Sequence, residues 1–258
     1  MSQSNRVAVV TGASRGLGAV IARVLAGRGY DLVVGAREAG PLNDIAASLR
    51  ESGGRVVTVA GDVADAAVRA RLVDEARALG GLHLLVNNAS ELGGIGPLSD
   101  VDLGRLERVL RVNVLAPVAL IELALPLLAE SRGLIVNVSS DAAQGAYPSW
   151  GAYGASKAAL DLLTRTLAGE LRDRGVSAVS VDPGDMRTRM HQEAFPGEDI
   201  SDRPLPDVTV PFWNWLFDQN PRDVSGERFA AQKEDPPWLA PQTPATFGEV
   251  APKLQSTR

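Results

Sequence analysis

Residues 6 to 18 read Arg6-Val7-Ala8-Val9-Val10-Thr11-Gly12-Ala13-Ser14-Arg15-Gly16-Leu17-Gly18. A short β-branched run passes directly into a loop holding three glycines, and a segment of helical period follows over 16–28. A strand–loop–helix turn of this kind aims backbone N–H groups and the positive end of a helix dipole at one point, which suits a pyrophosphate. Glycine is needed there because the chain must turn sharply and approach the ligand with no Cβ in the way.

Working outward, the same alternation repeats to about residue 182. Strands are predicted at Arg6–Val10, Asp31–Val34, Arg55–Ala60, Leu82–Val86, Leu134–Val138 and Ser177–Val181, with a last short one at Val224–Ala230. Helical segments lie between them at 16–28, 41–52, 65–79, 100–130 and 152–173, with Ser14, Asp65 and Asp100 as candidate N-caps. Strands that alternate with helices of this length imply βαβ units. The near-continuous apolar strands imply a parallel sheet buried on both faces, hence an α/β fold in three layers.

The 258 residues, 45% of them hydrophobic and 22% charged, suit one domain with a core of its own, placed at 1–233 with a Pro-rich tail at 234–258. With no cysteine there is no disulfide framework, thiolate metal site or cysteine nucleophile. A net charge of −5 without long blocks of either sign argues against nucleic acid or an anionic membrane as partner. The N-terminus has no signal-peptide pattern and no stretch approaches 18 consecutive apolar residues, so a soluble cytoplasmic protein is expected.

Thr11-Gly12-x-x-x-Gly16-x-Gly18, Gly61-Asp62-Val63, Asn87-Asn88-Ala89, Asn113, Ser140, Tyr153 with Lys157, and Pro183-Gly184 occur in that order. In this order and spacing the chain resembles the short-chain dehydrogenases/reductases, in their shorter single-domain branch, over about Val7–Gly184 and more weakly over Val224–Ala230. The resemblance implies a Rossmann-type doubly wound parallel sheet flanked by helices on both faces. It also implies a nicotinamide dinucleotide cofactor, with Gly12, Ser14, Arg15, Gly16, Leu17 and Gly18 around its phosphates and Asp62 and Val63 at the adenine. Asn87, Asn88 and Ala89 would lie along the adenosine and ribose, and Pro183, Gly184 and Thr188 beside the carboxamide. A homodimer or homotetramer is implied as well.

Charge bears on which cofactor binds. An acid about 20 residues beyond the glycine loop holds the ribose 2′-OH of NAD, whereas arginine accommodates the 2′-phosphate of NADP. Val34-Gly35-Ala36-Arg37 offers alanine and then a base there, with Arg15 as a second cation if the family geometry holds. NADP(H) is therefore expected over NAD(H).

Tyr153 and Lys157, four residues apart, share one helix face. A fixed cation stabilises a phenolate, so Tyr153 is the candidate acid/base. Family spacing assigns Ser140 to the substrate oxygen, with Ser139 as the alternative. It assigns Asn113 to a water relay and Lys157 also to the nicotinamide ribose. The expected function is interconversion of a ketone or aldehyde and an alcohol with small-molecule substrates, by a Ser140–Tyr153–Lys157–Asn113 set. Double-bond reduction, or a non-catalytic cofactor sensor on the same fold, is the alternative.

Three features depart from the family, one of them the chain end, where Val224-Ser225-Gly226-Glu227-Arg228-Phe229 replaces the usual glycine-rich closing strand and a further tail follows. Ser90 stands where glycine is usual, and its Cβ and hydroxyl would narrow or polarise the pocket. Asp185 follows Pro183-Gly184, where it would repel anionic substrates and attract basic ones, or serve only as surface charge. The segment after Val181 is rich in Pro and charge, and reads as a mobile lid over 185–217 that decides the substrate. Its aromatic cluster of Phe212, Trp213, Trp215 and Phe217 is read first as core or subunit contact. His83 is read as structural, and His191 as structural or touching substrate.

Overall fold

The computed structural model describes residues 6–233 and 238–240. Seven strands form one sheet: β1 Val7–Thr11, β2 Asp31–Ala36, β3 Val56–Ala60, β4 Leu84–Asn87, β5 Leu134–Val138, β6 Ser177–Asp182 and β7 Arg228–Ala230. They are all parallel, in the order β3-β2-β1-β4-β5-β6-β7. The order reverses between β1 and β4, and in open α/β sheets the crevice beyond the carboxyl ends at such a switch point is where ligands bind.

Alternate residues of each strand feed two separate cores. Ala8, Val10, Leu32, Val34 and Val136 pack on one face against α1 Gly16–Gly27, α2 Ala39–Arg50 and α8 Val210–Asp218. Val7, Val9, Val33, Leu85 and Ile135 pack on the other against α3 Ala66–Leu79 and α5 Ala116–Ser131. Helices on both faces of a parallel sheet give the three-layer, doubly wound arrangement the alternation implied.

Several expectations need correction. The 100–130 segment is broken: α4 Leu103–Leu110 passes through a π-helical turn, Arg111–Leu115, into α5. The whole run Leu103–Ser131 is long and apolar enough to span a bilayer, yet just over half of its most apolar window is buried in the fold, against the sheet. Its N-cap is Asp102, which accepts from the Arg105 N–H at 2.8 Å, rather than Asp100, which ends the 3₁₀ turn Leu98–Asp100. Arg15, not Ser14, occupies the N-cap of α1, and Asp65 caps α3 by position only, with no side-chain bond to its N–H groups. The 152–173 segment divides into α6 Gly151–Glu170 and a 3₁₀ turn, Arg172–Arg174.

The lid is not a structureless loop. Thr188 caps α7 Arg189–Ala194 by accepting from the His191 N–H, and Met186, His191, Ala194, Ile200 and Pro206 are buried. The aromatic cluster forms α8, whose Phe212 and Trp213 are fully buried, and the Trp213 indole donates to Thr209 Oγ1 at 2.9 Å. Val224–Ala230 is a strand only at β7; α9 Pro221–Val224 precedes it. Within the tail, Trp238 is buried against Phe212 and Trp215, and Leu239 bridges antiparallel to Phe229. The remainder of the expected tail, 234–237 and 241–258, lies outside the described residues.

Candidate active site

The glycine loop ends β1 at the switch point and is sewn to the end of β4. Thr11 Oγ1 donates to Val86 O and accepts from the Asn88 and Ala89 N–H groups at 3.0 and 3.1 Å. Asn88 Nδ2 donates back to Thr11 O and Gly12 O. The packing leaves no room for side chains: a Cβ on Gly18 would lie 2.3 Å from Gly12 O, and Gly12 holds a φ of +66°. No side chain caps α1, so its first N–H groups face the cleft open to an anion. This cradle fits a dinucleotide pyrophosphate, as does a cleft of about 1110 Å³ above it.

All the residues expected at the cofactor line this cleft except Asn87 and Gly184. Asn87 turns into the core, where its amide donates to Asn137 Oδ1 and Asn137 donates to Thr164 Oγ1, both at 2.8 Å. A parallel strand alternates its side chains, so a residue beside one facing the cleft must face away. Gly184 lines the adjoining pocket instead, with φ +71° and Gln232 against it.

Sequence reading found two cations near the end of β2 but missed their partners. Arg15 pairs with Glu38 at 2.7 Å, and Arg189 of α7 reaches the same carboxylate at 3.7 Å. Hydrogen bonding to Arg15, and then its charge, hold the exposed Glu38 carboxyl below its usual range. Arg37 pairs with Glu91 at 2.6 Å, and Arg108 binds both Glu91 and Asp62. Glu38 stood in plain view next to Arg37. Arg108 and Glu91 gave no signal, because their pairing exists only once distant segments meet.

Tyr153, Lys157, Ser139, Ser140 and Ser90 converge where this cleft meets a second pocket of about 490 Å³. Burial pushes the Tyr153 phenol well above its ordinary range, opposed by hydrogen bonds with Ser140 and Ser90. Lys157 is wholly buried; burial lowers its ammonium to about 8 against the attraction of Asp161, and Nζ donates to Val138 O at 2.8 Å. Its Nζ lies 5.5 Å from the Tyr153 ring centroid. In the protein alone, desolvation outweighs the hydrogen bonds that favour the phenolate.

Asn113 does not line the cleft. It sits in the π turn behind it, where Oδ1 accepts from Glu91 N and Ser90 Oγ and Nδ2 donates to Glu91 O and Ser156 Oγ. Its amide ties the 90–91 segment to α6. With all four positions taken, any water relay through Asn113 is left to its backbone.

Ser140 Oγ bonds Asp141 Oδ1 at 2.9 Å and accepts from Ala142 N, while Ser139 Oγ is buried and without a partner among the described residues. Arg228 of β7 holds this strand end through Ser140 O at 2.8 Å, and also binds Asp161 and Asp182. No group of His, Asp or Glu among the described residues is arranged to hold a metal. His83 is structural, its Nδ1 accepting from Val7 N, and His191 lines the second pocket.

The family model of the short chain dehydrogenases matches residues 6–199. The uncharacterized oxidoreductase YciK of Escherichia coli (strain K12) is 31% identical over 246 residues, covering 92% of this chain and 96% of its own. A short chain dehydrogenase from Salmonella enterica superposes with a TM-score of 0.83 at 32% identity, covering 89% of this chain and 97% of that one. A short chain dehydrogenase from Burkholderia cenocepacia, solved in complex with NADP, gives 0.79 at 32%, covering 88% and 96%. On the match over most of its length, with the glycine cradle and the Tyr153–Lys157 pair at one switch-point cleft, the chain belongs to the short chain dehydrogenase family of oxidoreductases.

Proposed function

We propose that the protein is an NADP(H)-dependent oxidoreductase that interconverts a ketone or aldehyde and an alcohol. The observation that carries this is the Tyr153 phenol, buried with two serine hydroxyls at the junction of a phosphate-binding cleft and a smaller pocket. Bound nicotinamide supplies or accepts the hydride and, when oxidised, adds a positive charge. Tyr153 holds its proton at neutral pH because burial disfavours the phenolate, and that protonated state is the donor a carbonyl reduction needs. Ser140 stands at the substrate side of the phenol and donates to the forming alkoxide once its hydrogen turns from Asp141. Lys157 supplies the nearest cation when the phenol must lose its proton. Asn113 fixes Ser90, and through it one of the phenol's two hydroxyl partners.

Arg15 and Arg37, paired with Glu38 and Glu91 at the cleft, support the choice of NADP over NAD, since a 2′-phosphate there would offer either guanidinium a charged acceptor in place of its carboxylate. Exposed Leu103, Leu115, Leu123 and Leu162 on α4–α6 support a homodimer or homotetramer. Following NADPH absorbance with a panel of ketones and aldehydes tests the reading. Turnover with NADPH favoured over NADH by about tenfold or more is expected. Absence of turnover with either cofactor, or a preference for NADH, overturns it.

A further inference from the structure

The second pocket differs from the cofactor cleft in the sign of its charge. Asp141, Asp182 and Asp185 line it, and no lysine or arginine does among the described residues. Arg228 stands behind Asp182 but is shared with the buried Asp161, so one guanidinium faces two carboxylates, while neither Asp141 nor Asp185 pairs with a lysine or arginine among the described residues, His191 Nδ1 lying 3.7 Å from Asp185. Asp141 accepts instead from the Tyr147 hydroxyl at 2.8 Å.

Aromatic side chains line the same pocket. Trp150 packs edge-on to Tyr153 with centroids 5.9 Å apart and against Phe195 at 6.0 Å, and Tyr147 completes the rim. A pocket that combines aromatic rings with carboxylates suits a desolvated cation. His191 is nine-tenths buried beside Phe195, its Nδ1 lies 3.7 Å from Asp185 Oδ1, and its Nε2 has no hydrogen-bond partner among the described residues. A buried polar atom left unpaired costs free energy, and His191 is one of the residues lining this pocket.

We infer that this pocket takes a carbonyl or alcohol whose remote end is a cation, a protonated amine or quaternary ammonium on an apolar ring or chain, and rejects substrates bearing carboxylate or phosphate. The inference rests on the oxidoreductase reading above for its reacting group, and on the charge and rings of the pocket for the rest.

Three ketones of one shape test it: a cyclohexanone carrying a trimethylammonium group, its tert-butyl isostere, and the corresponding carboxylate. The ammonium ketone is expected to exceed the tert-butyl ketone in kcat/KM by about tenfold, and the carboxylate to fall below both. Asp185→Asn is expected to lower the ammonium ketone more than the isostere, shrinking their ratio about threefold. Calorimetry on the full chain gives a readout independent of turnover, with benzyltrimethylammonium expected to bind and benzoate not. Equal or reversed ranking of the ketones, or benzoate binding as tightly as the ammonium, overturns the inference. If none of the ketones turns over while the ammonium alone still binds, the redox reading fails and the charge selection stands.

Discussion

At one end of the cleft the ligand surface is made of backbone; at the other it is made of side chains. The glycine loop fits a pyrophosphate through N–H groups, a positive φ and the absence of Cβ atoms, with the cations Arg15 and Arg37 at its margin. The Tyr153 end is assembled from β5, α6, α7 and the segment after β6, and depends on carboxylates, rings and hydroxyls. A backbone site tolerates no change at a few positions and almost any change elsewhere. A side-chain site can be rewritten residue by residue, so the first end fits what all substrates share and the second decides which substrate enters.

The sharpest way to separate the ends is at their joint. Tyr153→Phe is expected to lower kcat by about 10³-fold or more, the range for losing a general acid, while NADPH affinity by calorimetry stays within about twofold. Parallel loss of cofactor binding would show that the two ends are not separable.

Next in size is Gly18→Ala, which sets a Cβ against the Gly12 carbonyl and Asn88 Nδ2. Overpacking of backbone is expected to cost about 3 kcal/mol in denaturant unfolding and to weaken NADPH binding as well. A variant of normal stability and affinity would refute the claim that this end is backbone-made.

Replacing both Arg15 and Arg37 with alanine alters side chains at the backbone end. About thirtyfold loss in kcat/KM for NADPH with NADH little changed is expected, and an equal loss for both cofactors would remove the arginines' selectivity.

The smallest effect concerns Lys157 and pH. Its ammonium sits at about 8 in the fold against an ordinary 10.5, so between those values the unfolded chain holds a proton that the folded chain has released. Stability is therefore reduced below about 8 and recovers as pH rises toward 10.5. Denaturant midpoints at about pH 7 and about pH 10 should show that rise, on the order of 1 kcal/mol, and Lys157→Met should flatten it. A wild type that loses no more stability than the variant between about pH 10 and about pH 7 refutes the shift.

The contrast between the ends also explains what the sequence disclosed. Six strands announce themselves as apolar runs, because a parallel sheet buried on both faces has no alternation to hide them. The glycine cradle is legible because only glycine satisfies it. β7 is legible only as the end of a longer stretch, Val224–Ala230, since its three residues are held by Arg228's ion pairs and the returning Leu239 rather than by an apolar run. Helix α7, Arg189-Met190-His191-Gln192-Glu193-Ala194, reads as loop in composition and is betrayed only by its cap, Thr188. The π turn around Asn113 adds a local distortion that leaves the apolar periodicity on either side almost intact. Glu38, Glu91, Arg108 and Arg228 matter through partners far away in the chain, which no local pattern reports.

The short bridge at Leu239 carries a different kind of consequence. A parallel sheet must end somewhere, and an open edge offers its unpaired N–H and C=O groups to any other extended chain. Here Ala230 N–H donates to Trp238 O and Ala240 N–H to Arg228 O, so Trp238–Ala240 occupies the outer edge of β7. The segment whose Trp238 packs on Phe212 and Trp215 thus also takes up the hydrogen-bonding groups that Arg228 and Ala230 would otherwise present at the sheet's edge.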